Sequence, residues 1–157
     1  MTDLLSAEHS DFLVHGRPSA GEVARFRGGL HYLATPYSKL AIDERGAWCP
    51  VRSIEAAMSA EGWAAQLALE GVTAISPISQ AAAMVQIVGP DVLDPLDDVF
   101  WARWCAPLLA ACASVIVPPI AGWRDSDGIR REMAAARDTN TPIYFIASDG
   151  ELILEAR

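Results

Sequence analysis

The sequence predicts an α/β protein: a parallel sheet covered by helices on both faces. Three observations carry this. Short apolar runs alternate with longer alanine-rich or amphipathic segments, the order of strand–helix–strand units. Proline or glycine marks most junctions, as at Thr35-Pro36, Gly71, Ser76-Pro77 and Pro118-Pro119. With 157 residues, 52% of them hydrophobic, the chain can bury a substantial core as one domain.

Residues 1–29 mix polar side chains with Gly16, Pro18, Gly21, Gly28 and Gly29 and keep no sustained period. They are expected to form a weakly ordered extension with a short helix around 20–26, and residues 30–157 to form the domain. The first strand is read at 30–34. An alanine-rich helix follows at 51–70, closed by Gly71 at the position where helices favour glycine. Residues 72–76 are the second strand, stopped by Pro77. Residues 78–96, with Gly89-Pro90 and Pro95, exceed a plain connector and are expected to form a lid over a site. In 97–112, Trp101, Cys105, Leu108 and Cys112 fall on one helical stripe, and Pro107 is expected to kink or divide the helix. Residues 114–117 are the third strand and 142–147 the fourth. Asp149-Gly150 is a turn, and 152–154 is read as a fifth strand at an edge.

The net charge of -8 argues against a nucleic acid polymer as partner, while leaving room for a small anion held locally. Cys49, Cys105 and Cys112 form no metal-type pair and cannot all pair internally, so a reducing interior, the cytoplasm, is expected. The N-terminus lacks a basic region followed by an apolar one, and no run reaches the ~20 apolar residues of a membrane helix. No membrane partner is therefore expected. His9, His15 and His31 lack metal spacing. There is no P-loop, dinucleotide fingerprint or Cys/His cluster, so neither metal nor cofactor is expected.

Glu132 is the leading site candidate. On the helix after the third strand its neighbours one turn away are Gly128, Ile129, Ala135 and Ala136, none of which can pair with it. A carboxylate on a stripe that should be buried is either a structural acid, bonded to loop amides or Arg45, or a desolvated base or nucleophile. Its side chain leans toward the helix N-terminus, where free amides favour negative charge. Ser126 or Asp127 caps that helix. With Gly128, a capping hydroxyl at a helix start also suits a phosphate. Thr35, Tyr37 and Ser38 lie at the end of the first strand, where ligands of such sheets sit. There Tyr37 either packs, orients Glu132 or stacks on a planar ligand. Arg45, in the next loop, is a candidate phosphate partner or a plain exposed arginine. Asp97 and Asp98 are ordinary first-turn acids, or one of them reaches the site.

Taken together, several segments resemble one superfamily: residues 32–38, residues 71–78, Phe100-Trp101, and Gly122-Trp123 followed by Ser126-x-Gly128-x-x-x-Glu132. Over about residues 30–147 the chain looks like a domain family of unknown function related to the nucleoside 2-deoxyribosyltransferases and nucleotide N-glycoside hydrolases. The resemblance implies a three-layer, flavodoxin-like fold with about five mainly parallel strands. It implies Glu132 as the nucleophile at the anomeric carbon of a nucleotide or nucleoside, steadied by Tyr37; with the family's acid position changed, either Asp97 or Asp98 supplies the acid, or the substrate is unusual, or the activity is lost. Six residues before the nucleophile this chain has Ser126, as do the hydrolases of nucleoside 5'-monophosphates, where that serine binds the phosphate. Transferases tend to carry an aspartate there. Assembly as a homodimer or larger homo-oligomer is also implied. Two positions depart from the pattern: Cys105 stands where the transferases have an aspartate, and Ala113 where an aspartate often precedes the third strand. The resemblance therefore leaves three functions open: nucleotide hydrolysis, deoxyribosyl transfer, and a non-catalytic nucleotide-binding module.

Overall fold

Four short apolar runs pair as parallel strands: β1 (Leu30–Leu33), β2 (Thr73–Ile75), β3 (Ser114–Val117) and β4 (Ile143–Ile146). The structure, a computed structural model, describes residues 26–146 and the backbone of 152–154. Residues 1–25, the expected helix at 20–26 up to Arg25, and the turn at Asp149-Gly150 lie outside the described residues. The strand order is β2-β1-β3-β4, and β5 (Leu152–Leu154) pairs antiparallel with β4 at the edge. The parallel part thus has four strands, not five. The arrangement is α/β and consistent with a flavodoxin-like fold, in which the order reverses between β1 and β3.

Side chains alternate across the sheet, as the pleat requires. Leu33, Ile116 and Ile146 pack with Leu67 of α1 (Pro50–Leu69). Tyr32, Ala34, Val115, Val117 and Ile143 face the other way. They pack with Leu109 of α3 (Asp98–Ala110) and with Ile129 and Ala136 of α4 (Asp127–Asp138). Helices therefore cover both faces, and Tyr32 lies on the α3/α4 side. Gly71 closes α1 with a φ of +81°, a backbone that side-chain-bearing residues rarely adopt.

Two expectations about the second half of the chain are corrected. Residues 78–96 are not an irregular lid: most of them form α2 (Pro77–Val88), packed along α1. Ser76 caps α2, its hydroxyl accepting from the Ser79 amide, and Pro77 takes the first helical position, where its missing N–H costs nothing. Pro107 does not divide α3. It falls in the last turn, where a single lost backbone bond is tolerated.

Phe26, at the end of the segment read as an extension, is buried against Leu33, Leu67 and Tyr144. His31 ties it there. Nε2 of His31 donates to the Phe26 carbonyl at 2.7 Å, so Nδ1 accepts from the Ser114 hydroxyl, also at 2.7 Å. His31→Leu strands both partners in the interior. It is expected to lower unfolding stability by about 2–4 kcal/mol in urea titration, whereas Ser114→Ala, which strands only one ring nitrogen, should lower it by about 1–2 kcal/mol.

Candidate active site

A cleft opens where the strand order reverses. It is bounded by the segment after β1, the starts of α2 and α4, and one side of α3. Glu132 reaches it from the second turn of α4. The Tyr32 hydroxyl, coming up from β1 through the sheet face, donates to Glu132 Oε1 at 2.6 Å. Oε2 has no hydrogen-bond partner among the described residues, and Glu132 lines the cleft. Burial pushes the Glu132 carboxyl up to about 7, against the lowering effects of the Tyr32 hydrogen bond and the Arg131 guanidinium. Burial and the adjacent Glu132 charge push the Tyr32 phenol far above its ordinary range, so it remains a donor at any working pH.

The order of the side chains around Glu132 follows from the helix. Ser126 Oγ accepts from the Ile129 amide at 3.3 Å, and Ser126 O takes the first intrahelical bond, from Arg130. The amides of Asp127 and Gly128 precede that bond and stay free at the helix start, where Ser126 and Gly128 line the cleft. Asp127 turns away, pairing with Lys39 at 3.4 Å and Arg130 at 2.9 Å, which removes its charge from the anion position. Thr35, at the end of β1, lines the same cleft. Its buried Oγ1 is without a partner among the described residues.

Of the residues singled out in the sequence, Glu132, Ser126, Gly128, Tyr37, Ser38 and Asp98 line the cleft together. Three differ from expectation in role or place. Tyr37 does not hold Glu132: its hydroxyl bonds Ser53 Oγ at 2.8 Å and accepts from the Trp48 indole at 3.0 Å, so it is a fixed wall. Arg45 sits exposed in a turn, its backbone amide donating to Asp43, and is not among the cleft residues. Asp97 is the N-cap of α3, accepting from the Val99 and Phe100 amides. Asp98, by contrast, faces the cleft and receives a 3.0 Å hydrogen bond from Arg131.

Sequence reasoning missed Tyr32 and Arg131. A tyrosine inside a predicted strand looks like packing, yet a buried phenol needs a hydrogen-bond partner and a buried acid needs a donor. Matching those two needs across the sheet–helix interface was the available signal. Arg131, placed on another face of the helix by its spacing, is long enough to return to the cleft mouth.

These features define an α/β domain with a carboxyl-bearing cleft at the strand-order reversal. The chain belongs to the family described as Domain of unknown function (DUF1937), whose model matches residues 29–148. No curated protein matches it. Among the described residues, no group of three His, Cys, Asp or Glu gathers in metal-binding geometry, and no helix is long and apolar enough to cross a membrane.

The raised Glu132 carboxyl has a consequence for stability. Unfolded, it titrates near 4.5; folded, near 7. Between these values the native state binds the extra proton, so stability falls as pH rises through this window and stays low above it. Glu132→Gln removes the buried charge. It should be more stable than the wild type at pH 8 by about 1–3 kcal/mol in urea unfolding, with the gap closing below about pH 4.5.

Proposed function

We propose that the protein hydrolyses the N-glycosidic bond of a nucleoside 5'-monophosphate or related nucleotide, on a deoxyribosyltransferase-like domain, with Glu132 as the nucleophile. The observation that carries this reading is the pairing of a buried carboxyl, one oxygen held and the other open, with a helix start two turns or less away. Tyr32 fixes Oε1 and orients the group. Oε2 is left to attack the anomeric carbon and to face the positive charge that develops on the sugar. The Ser126 hydroxyl, the Asp127 and Gly128 amides and Arg131 supply donors for a phosphate. The raised pKa suits a group that must be anionic to attack and tolerably basic.

A second reading has an observation of its own. Cys105 lines the cleft at the position where the transferases that the sequence resembles carry an aspartate, and this favours a domain that binds a nucleotide without cleaving it. Deoxyribosyl transfer between bases differs from hydrolysis only in needing a second base as acceptor.

Incubation with a panel of nucleotides, followed by chromatography for free base, separates these. Release of base without an added acceptor is expected, and Glu132→Gln should lower it about a thousandfold or more. Equal release by Glu132→Gln would remove the nucleophile assignment, and binding without release would favour the non-catalytic module. Because attack needs the carboxylate, kcat/KM should rise with pH through about 7. The Tyr32 hydrogen bond lowers the Glu132 pKa, so Tyr32→Phe should move that limb to higher pH.

A further inference from the structure

We infer, on the basis of the glycosidase reading, that the base expelled from this cleft is already cationic: the substrate is a pyridinium-type N-glycoside rather than a nucleoside of a neutral purine or pyrimidine. When a glycosidic C–N bond breaks, its electron pair goes to the ring nitrogen. A neutral base leaves as a poor anionic group unless a proton reaches it, and that proton transfer is work for a general acid. A pyridinium leaves as a neutral pyridine and needs none.

Among the described residues, the cleft supplies no free acid on the side where a base would lie. α2 contributes Pro77, Ile78, Ala81 and Val85 to the wall, and α3 contributes Ala102, Cys105, Ala106 and Leu109, with Asp98 and Trp101 at its first turn. The Cys105 thiol is half-buried, and both burial and the Glu132 charge push its pKa up, so it holds its proton. Tyr32 has its proton committed to Glu132 at 2.6 Å. Asp98 is held in an ion pair with Arg131 at 3.0 Å. The Tyr37 hydroxyl is engaged by Ser53 and Trp48. Those are the titratable groups among the described residues that line the cleft or touch its carboxyl.

Other features favour a cation directly. Glu132 and Asp98 place two carboxyls in the cleft against the single guanidinium of Arg131, and the apolar wall beside Glu132 strengthens the field of that carboxylate. Trp101 lines the cleft, its indole N–H fixed to the Asp94 carbonyl at 2.8 Å, and offers an aromatic surface to a planar cationic ring. The step balances without a proton donor. A Glu132 oxygen bonds the anomeric carbon as the C–N pair passes to the pyridinium nitrogen, releasing a neutral pyridine. Water then adds at the same carbon, giving a proton to solvent and freeing the carboxylate.

The test uses the full chain, nicotinamide mononucleotide as the pyridinium probe, and the 5'-monophosphates of adenosine, guanosine, cytidine and uridine as neutral-base comparators. Glu132-dependent release of nicotinamide should exceed release of any neutral base by at least about a hundredfold in kcat/KM, the scale of a missing acid. Its pH profile should rise through about 7 and show no falling limb up to about pH 9.5, since no acid need stay protonated. Cys105→Asp, which adds an acid to the wall, should narrow the preference. Equal or faster release of a neutral base, or a falling limb on the pyridinium probe, overturns the inference while leaving the glycosidase reading intact. Glu132-dependent release from none of the five overturns both.

Discussion

The hydrogen bond from Tyr32 to Glu132 is the constraint around which this domain is arranged. A carboxyl tucked between a sheet and a helix loses much of its hydration, and a phenol at the centre of a strand loses nearly all of its own. Each is costly alone. Together, at 2.6 Å, they satisfy one another. The bond also fixes geometry that hydrophobic packing leaves loose. Ile129 and Ala136 would seat α4 on the sheet over a range of small rotations, but a phenol on β1 and a carboxyl on the second turn meet in only one of them. With that rotation, Ser126, Gly128 and Glu132 line one cleft with Thr35 at the end of β1.

The fold was largely legible because punctuation and alternation agreed. Gly71 ended α1 where its left-handed backbone was needed, and four apolar runs of strand length stood at the junctions. The misreading at α2 has a physical cause. Ser76-Pro77 stops a strand and begins a helix by the same properties: a side chain that accepts a backbone amide and a ring that fixes φ without an N–H. Read only as a stop, it hid the twelve-residue helix that begins at Pro77. The alanines that follow favour a helix in their own right. The parallel sheet stops at four strands because 152–154 follows β4 too closely for a crossover and can return only antiparallel.

The site was legible where helical spacing governed and obscure where two elements had to meet. Glu132 and Ser126 share one helix, so their separation followed from the sequence. Tyr37 and Tyr32 flank the end of the same strand, and sequence could not say which phenol found the carboxyl. Tyr37 lies at the expected mouth and Tyr32 in the expected core; it was the core residue, pointing to the α4 face by the pleat, that was in position. Asp97 and Asp98 show the same limit at finer scale. Adjacent acids at a helix start divide the roles, one capping the helix and the other facing the cleft, and only the entry angle of the chain decides which does which.

The polar groups left over are as telling as those that are paired. Thr35 Oγ1 is buried at the end of β1 without a partner among the described residues, and Glu132 Oε2 lacks one a short way along the same cleft. A stranded hydroxyl costs roughly 1–3 kcal/mol, and a desolvated carboxyl near neutral pH adds to that. Packing alone gives no reason to keep either, since valine matches threonine in shape and glutamine keeps the Tyr32 contact without the charge. Both residues line the cleft. Under the proposed glycosidase reading, the hydroxyls and the anomeric carbon of the substrate would meet both needs at once. Under that reading, the stability given up at these two groups would be recovered as affinity for the substrate.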